Sequence, residues 1–159
     1  MLAYLLNLET DFISSSELGF LRDMKPQFVK AKRTRTSLFF IFQEENATEI
    51  TTKQRYGDLV KDLSLIRPYV DGIVVPKEYI WPVNDAGYIG APTSLVTDAH
   101  KQGLQVFVSG FANDMVKAYN YSYDPSAEYL QFVDNSQFAV DGFLTDFPPT
   151  ASQVVGTLS

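Results

Sequence analysis

The chain has 159 residues, of which 45% are hydrophobic and 20% charged, and this composition fits one globular domain with a sizeable core. Its formal net charge of −6 argues against a nucleic acid or an anionic membrane surface as a partner. The chain contains no cysteine and a single histidine, His100, so disulfides and thiolate metal sites are excluded and a cysteine–histidine or serine–histidine mechanism has little support.

The first predicted elements are a helix-compatible segment, a strand and a helix. Residues 2–9 are apolar and compatible with a helix, and residues 11–15 predict a strand with Phe12 and Ile13 buried. Ser16 is a suitable N-cap for a helix over residues 17–25, and Pro26 is expected to close that helix.

A basic segment then leads to the clearest strand in the chain. Its basic residues are Lys25, Lys30, Lys32, Arg33 and Arg35. We interpret them as a solvated loop at the amino-terminal end of the strands, away from any site. Residues 37–42 are apolar and bounded by polar residues, which predicts a buried strand. Glu44 and Glu45 follow that strand and would be placed to tune a metal site, but a solvated loop is the favoured interpretation.

The next predicted helix is the first part of a pattern that occurs twice in the chain. Its apolar residues are spaced to lie on one helical face. The residues of this face are Tyr56, Leu59, Val60, Leu63 and Ile66. The predicted helix leads into an Asp-Gly turn and a strand over residues 72–75. The same order of helix, Asp-Gly turn, apolar run and proline returns at residues 140–148. The repeat indicates consecutive helix–turn–strand units.

The next segment combines a long loop with a helix and a strand. Residues 77–90 form a loop at the carboxyl end of the preceding strand. Thr93 or Ser94 is expected to cap a helix that ends before Gly103, which suits the position after a helix. Residues 104–108 predict the following strand.

The last elements begin after another long loop. Asp124 followed by proline predicts an N-cap with proline in the first helical position, and the helix runs to about Asp134. The repeated Asp-Gly pattern then predicts a strand that ends at Asp146. A final helix is predicted over residues 149–158.

About five strands therefore alternate with helices, which predicts an α/β protein with a parallel sheet. A doubly wound sheet of flavodoxin type and a part of a TIM barrel both satisfy this pattern. The chain has no Gly-rich phosphate loop, so nucleotide binding has no support.

Specific segments resemble glycerophosphodiester phosphodiesterases. Residues 103–108, Asn113 with Asp114, and residues 140–148 resemble the end of these enzymes. The resemblance implies an α/β fold, a partial TIM barrel made of the last five βα units with parallel strands. It also implies that residues 1–159 are the carboxyl-terminal portion of a glycerophosphodiester phosphodiesterase domain.

Three further segments are similar to the plant glycerophosphodiester phosphodiesterase-like proteins. They are residues 73–82, 93–105 and 120–134. Those proteins carry two such domains in tandem at the cell surface and are held by a glycosylphosphatidylinositol anchor. The resemblance implies an extracellular or plasma-membrane-surface location for the parent protein, with any membrane contact made through an anchor outside this chain, which contains no targeting signal of its own.

The resemblance implies a hydrolase of lipid and glycerol metabolism that converts a glycerophosphodiester and water to glycerol 3-phosphate and an alcohol. The family uses a divalent metal, Ca²⁺ or Mg²⁺, but its His-Arg-Gly motif does not occur here, and no Glu-x-Asp stands at the carboxyl end of a predicted strand. We therefore expect no catalytic residue and no metal ligand in this chain, and an inactive chain in isolation. The alternative is a non-catalytic module that binds cell-wall polysaccharide through its tyrosine-rich loops.

The resemblance implies that five residues of this chain form the rim of a substrate pocket. They are Asp146, Ser109, Phe111, Trp81 and Lys77. The expected partners are a small glycerophosphodiester or a cell-wall component, together with the amino-terminal half of the barrel. Asn46 and Asn120 begin Asn-x-Ser/Thr sequons and are the expected glycosylation sites.

Overall fold

A computed structural model describes residues 10–33, 35–112 and 118–157. The strands are β1 Phe12–Ser15, β2 Ser37–Ile41, β3 Gly72–Pro76, β4 Gln105–Phe111 and β5 Gly142–Thr145. The helices are α1 Leu18–Lys30, α2 Tyr56–Leu59, α3 Leu95–Lys101, α4 Pro125–Val133 and α5 Pro148–Thr157. Short 3₁₀ turns occupy Leu63–Leu65, Lys77–Tyr79 and Tyr119–Tyr121. The helix-compatible residues 2–9 and the motif residues Asn113 and Asp114 lie outside the described residues.

The five strands form one sheet in the order β1-β2-β3-β4-β5. The registers of β1 with β2, β2 with β3 and β4 with β5 are parallel. A doubly wound sheet requires a strand order that reverses within the sheet, and this order follows the chain throughout. The fold is therefore the α/β partial TIM barrel of five βα units, and the flavodoxin alternative is rejected.

The chain divides into two compact units. The first contains Met1–Val74 and Lys101–Gln105, and the second contains Val75–His100 and Val106–Ser159. In the first unit, β2 is buried at its three central positions, and α1 covers it with its own apolar face. The buried residues of that helix face are Leu18, Leu21, Met24 and Phe28. In the second unit, α4 and α5 pack against each other.

The start of the chain differs from the sequence prediction in two ways. Phe12 is 49% exposed and Ile13 is half-buried, because β1 lies at the end of the sheet order; the Phe12 ring meets Phe39 edge to face. Helix α1 continues through Pro26 to Lys30. Pro26 is on the exposed face, where water can satisfy the carbonyl group that proline's missing N–H leaves unbonded.

The predicted N-cap of α1 is also wrong. Glu17 occupies the cap position and makes no side-chain cap hydrogen bond, and Ser16 does not replace it. The Leu18 N–H instead donates to the buried carboxylate of Glu49 at 3.0 Å. The carboxylate of a residue far away in the chain thus accepts the hydrogen bond at the start of the helix that was predicted for Ser16.

The predicted helix over residues 56–66 is broken into α2 and a 3₁₀ turn. Asp62 stands between them, and its carboxylate accepts hydrogen bonds from the Ser64 N–H and hydroxyl. A short acidic side chain that bonds nearby backbone groups offers the chain an alternative to the helical pattern. The basic segment is divided as well, since Lys25 and Lys30 belong to α1 and the other described basic residues follow it.

Most later predictions are confirmed. The Asp124 side chain accepts from the Ser126 N–H at 2.9 Å and caps α4 with Pro125 in its first turn. Gly103 follows α3 with a φ of +71°, a value that favours glycine. Strand β4 extends further than predicted and carries a β-bulge between Ser109 and Phe111.

Candidate functional site at the carboxyl ends of the strands

A buried ion pair lies at the carboxyl ends of the strands in the second unit. Lys77 directly follows β3 and is 4% exposed, and Glu128 on α4 is 2% exposed. The Lys77 Nζ donates to Glu128 Oε1 at 2.5 Å. Burying either charge alone is costly, and the attraction between the two opposite charges offsets part of that cost. The pair therefore ties the loop after β3 to α4.

Phe111 completes this cluster from the end of β4. The Lys77 Nζ lies 5.5 Å from the centroid of the Phe111 ring, within the range of a cation–π contact. The Phe111 ring also stacks on Tyr129, with the two ring centroids 4.4 Å apart and the ring planes at 15°. The bulge at Ser109 and the φ of +94° at Gly110 insert one extra residue before Phe111, and such bulges re-aim the side chain that follows.

Tyr129 links the cluster to the end of β5. Its hydroxyl and the Thr145 Oγ1 are 2.7 Å apart, and the same Oγ1 accepts from the Phe147 N–H at 3.0 Å. Burial raises the pKa of Tyr129, and the negative charges of Glu128 and Asp146 raise it further. The hydrogen bond with Thr145 lowers this pKa but does not outweigh the other effects. Burial likewise raises the pKa of Tyr121, with a further contribution from Glu128. Both phenols are therefore protonated at neutral pH.

Four of the five predicted rim residues fall into two groups. Lys77 and Phe111 are in contact with each other, and both are buried within the cluster. Asp146 is exposed at the end of β5, and the Ser109 hydroxyl makes only a long 3.4 Å hydrogen bond to the Val75 carbonyl.

Trp81 is separate from the Lys77–Phe111 contact. Its ring is buried and lies 5.9 Å from Phe138, centroid to centroid. Its Nε1 has no acceptor among the described residues. A pocket-rim role for Trp81 stays a prediction, as it does for the other four residues.

The described residues do not form a metal site. No three His, Cys, Asp or Glu side chains come together among residues 10–33, 35–112 and 118–157 in a way that would hold an ion. Glu128 is engaged by Lys77, and Glu44 and Glu45 are exposed in the loop after β2. The donor set of the Ca²⁺ or Mg²⁺ site that the family resemblance implies is therefore not met by the described part of this chain.

His100 lies at the other end of the strands. Its Nε2 is 2.8 Å from Asp141 Oδ2, and Asp141 directly precedes β5. The Lys77–Glu128 cluster follows β3 and borders the carboxyl end of β5. His100 is thus placed on the amino-terminal side of β5, where residues of parallel barrels contribute to stability.

Sequence reasoning missed two buried carboxylates. Glu128 shares a helix face with Tyr129 and Phe132, so a charge on an otherwise apolar face was the available signal. Glu49 lies in the loop after β2 and accepts from the N–H groups of Leu18, Thr51 and Thr52. Thr51 and Thr52 are close to it in the chain, but Leu18 is 31 positions away, so the sequence did not indicate that this carboxylate is buried against α1.

None of the helices formed by the described residues is both long enough and apolar enough to cross a membrane. No family model matches the chain.

Curated proteins of Arabidopsis thaliana are similar to most of the chain. The glycerophosphodiester phosphodiesterase GDPDL5 is 55% identical over 152 residues, which are 96% of this chain and 20% of that protein. The glycerophosphodiester phosphodiesterase GDPDL7 is 52% identical over 147 residues, which are 92% of this chain and 19% of that protein. The glycerophosphodiester phosphodiesterase GDPD6 is 36% identical over 113 residues, which are 69% of this chain and 29% of that protein. The chain thus spans about one fifth of the length of the first two relatives.

Proposed function

Because the chain belongs to the plant glycerophosphodiester phosphodiesterase-like family, we propose that it forms the non-catalytic carboxyl-terminal wall of a phosphodiesterase barrel. The complete protein would hydrolyse a glycerophosphodiester to glycerol 3-phosphate and an alcohol, as a phosphoric diester hydrolase of lipid and glycerol metabolism. The names of the relatives support the reaction class, and the parallel strand order supports the barrel.

The observation that carries this proposal is the position of Phe111. Active sites of TIM barrels lie at the carboxyl ends of the strands. There, the bulge in β4 brings Phe111 into contact with both the Lys77 ammonium and the Tyr129 ring. Beside Phe111, the Lys77–Glu128 ion pair holds the loop after β3 against α4. This arrangement suits a rigid wall that orients a substrate rather than one that reacts with it.

The chemistry of the cluster agrees with a supporting role. Phosphodiester cleavage needs an acid that protonates the leaving oxygen and positive charge that stabilises the phosphoryl oxygens. Lys77 has its charge committed to Glu128, and the raised pKa values of Tyr121 and Tyr129 disfavour proton release. The described carboxylates do not assemble into a divalent metal site, so no metal-dependent step is assigned to them.

The test compares the purified 159-residue chain with a fusion in which the preceding barrel segment of GDPDL5 is placed before it. We expect the chain alone to release no glycerol 3-phosphate from glycerophosphocholine, with or without Ca²⁺ or Mg²⁺. The fusion should turn over and lose activity with a chelator. Chelator-sensitive turnover by the chain alone, abolished by His100→Ala, would contradict the proposal and place the chemistry at His100.

A second candidate function is a polysaccharide-binding module on the same barrel. One observation favours it, namely that Tyr88 and Tyr119 are exposed and adjacent, with ring centroids 5.6 Å apart. Retardation of the chain in gels that contain cell-wall polysaccharide, lost in Tyr88→Ala, would support this module. An inactive fusion that still binds polysaccharide would favour it over the phosphodiesterase.

We also propose that the parent protein acts outside the cell, at the plasma-membrane surface, as a glycoprotein. The support is two sequons whose asparagines, Asn46 and Asn120, are both exposed. Immunolocalisation of the tagged full-length protein before and after cell-wall removal tests the location. Cytosolic signal alone would contradict it.

A further inference from the structure

Two tyrosine rings form an exposed surface in the second unit. Tyr88 is 52% exposed and Tyr119 is 58% exposed, and their rings are 5.6 Å apart with planes at 54°. We call them the tyrosine pair. Adjacent exposed aromatic rings of this kind offer a rigid amphipathic contact area that suits a ligand with both apolar and hydroxyl groups.

The backbone around the tyrosine pair is fixed before any ligand arrives. The Tyr119 N–H donates to the Gly87 carbonyl at 2.9 Å. Gly87 has a φ of +81°, and a Cβ there would lie 2.7 Å from the Tyr119 ring. Only glycine allows this approach, so the loop that carries Tyr88 is held directly against the segment that carries Tyr119.

Asn120 lies beside the pair and begins the sequon Asn120-Tyr121-Ser122. Its Oδ1 accepts a hydrogen bond from the Ile89 N–H at 2.9 Å, so the amide group lies against the residue that follows Tyr88. The Asn120 side chain is exposed, and its Nδ2 has no acceptor among the described residues. The atom that a glycan would occupy is therefore available next to the tyrosine pair.

We propose that Asn120 carries an N-linked glycan whose first sugar packs on the tyrosine pair, an inference that rests on the extracellular location proposed above. In this modification the C1–O bond of a lipid-pyrophosphate-linked oligosaccharide breaks and a C1–Nδ2 bond forms. The amide loses one proton, and the lipid pyrophosphate leaves. The product remains an amide, so the Oδ1 keeps its hydrogen bond with the Ile89 N–H and holds the sugar stem in place.

The chemistry of the surface matches a sugar bound in this way. The C–H face of a hexose is apolar and covers an aromatic ring, while its hydroxyls reach the phenol groups at the ring edges. Because the stem is covalently attached and short, the effective concentration of the sugar at the rings is high. A free polysaccharide lacks this advantage, so we assign the tyrosine pair to the chain's own glycan.

The other sequon provides an internal control. Asn46 is exposed, but residues 43–55 around it contain no aromatic side chain. A glycan on Asn46 therefore has no ring from its own loop to cover. Removing it through Thr48→Ala should leave the second unit unaffected.

The test uses the chain secreted from a eukaryotic host, with each glycan trimmed by an endoglycosidase to one N-acetylglucosamine. Glycopeptide mass spectrometry should find Asn120 occupied, and NMR should show upfield-shifted protons on its sugar. Tyr119→Ala should abolish that shift. Tyr123→Ala is the matched control, since Tyr123 is 77% exposed and its substitution should leave the shift intact.

A stability comparison supplies an independent readout. Ser122→Ala removes the sequon but keeps Asn120 and its hydrogen bond. The Tm of the trimmed protein should exceed that of Ser122→Ala by about 2–4 °C, the shift expected from one aromatic contact in a domain of this size. The same comparison in a Tyr119→Ala background should show no difference.

Three outcomes would overturn the proposal. Asn120 found bare in the secreted protein would remove the modification itself. Sugar protons unaffected by Tyr119→Ala would show that the glycan extends into solvent. Polysaccharide binding that needs Tyr119 and is equal with and without the glycan would show that the rings are open to an external ligand.

Discussion

Asp71 and Asp141 hold the two Asp-Gly turns of the chain with the same pair of backbone hydrogen bonds. In the first unit, the Asp71 N–H donates to the Leu38 carbonyl at 2.8 Å, and its carboxylate accepts from the Leu38 N–H at 2.9 Å. In the second unit, Asp141 makes the equivalent bonds to Val106 at 2.8 and 2.7 Å. Each aspartate thus closes a two-bond ring with the neighbouring strand.

Each carboxylate also contacts a basic side chain on the helix before that neighbouring strand. Lys25 on α1 is 2.6 Å from Asp71, and His100 on α3 is 2.8 Å from Asp141. The repeated helix–turn–strand pattern in the sequence is therefore a repeated structural device. It also accounts for His100 as a residue that supports the fold.

The hydrogen bonds of Asp141 with Val106 predict a clear order of stability among Asp141 variants. Asp141→Ala leaves the Val106 N–H without its side-chain acceptor and should lower the free energy of unfolding by about 1–3 kcal/mol. Asp141→Asn should cost less, because the amide oxygen still accepts. Urea denaturation followed by circular dichroism measures both. Asp134→Ala, at an exposed aspartate after α4, is the control and should change stability by less than about 0.5 kcal/mol. Equal stability of Asp141→Ala and the wild type would show that the Asp141 carboxylate does not stabilise the fold.

Glu49 predicts a loss of stability in acid. Burial alone raises its pKa, but hydrogen bonds from the backbone of Thr52, Thr51 and Leu18 outweigh burial and hold the pKa below its ordinary value of 4.5. The stability supplied by the carboxylate is therefore present above the unfolded-state pKa and is lost as the pH falls through the folded-state pKa.

The matching substitution is Glu49→Gln. At pH 7 it should lower the free energy of unfolding by about 1–3 kcal/mol, because a charged carboxylate that accepts hydrogen bonds from several N–H groups is replaced by a neutral amide. The difference from the wild type should shrink as the pH falls below about 4. Urea titrations between pH 3 and pH 7 measure this, with the exposed Glu45→Gln as control. A pH-independent difference would show that the hydrogen bonds do not depend on the charge.

The Lys77–Glu128 pair predicts strong coupling between two substitutions. Lys77→Met leaves a buried carboxylate without its partner and should cost about 3–5 kcal/mol. The double variant Lys77→Met with Glu128→Leu should recover much of that loss, since neither charge remains buried. A double-mutant cycle by urea denaturation measures the coupling. Lys61→Met breaks only the exposed pair with Asp58 and should cost less than about 0.5 kcal/mol. Additive losses at Lys77 and Glu128 would argue that they act independently.

The outer strands predict self-association. A part of a barrel is expected to expose apolar surface at Phe39, Ile41 or their neighbours, but Phe39 is buried and Ile41 is half-buried. Phe12 on β1 and Leu144 on β5 are exposed instead, on the two strands that end the sheet order. Sedimentation velocity of the purified chain should show species larger than a monomer.

The variant that tests this carries Phe12→Lys and Leu144→Lys together. Charges on the outer strands oppose pairing between copies, so the variant should sediment mainly as a monomer. Leu65→Lys, at an exposed leucine outside the sheet, is the control and should still associate. A wild-type chain that is monomeric at all concentrations would contradict the prediction.

The sequence by itself determined the elements whose signals are local. The Asp-Gly turns, the Asp124-Pro125 start of α4 and the glycine after α3 were all predicted, because turn and cap chemistry acts over a few residues. The apolar runs located all five strands, and the matched segments identified the family. Periodicity left the flavodoxin and barrel folds open, and the strand order decided between them.

Only the tertiary structure decided the features that depend on residues far apart in the chain. Helix α1 continues past Pro26, and Glu49, from the loop after β2, bonds its first N–H. Phe12 is exposed because its strand lies at the end of the sheet order. Lys77 and Glu128 are buried because each neutralises the other across 51 positions of sequence. A charged residue normally predicts a solvated surface, and its burial becomes favourable only when the fold brings a partner of opposite charge within hydrogen-bond distance.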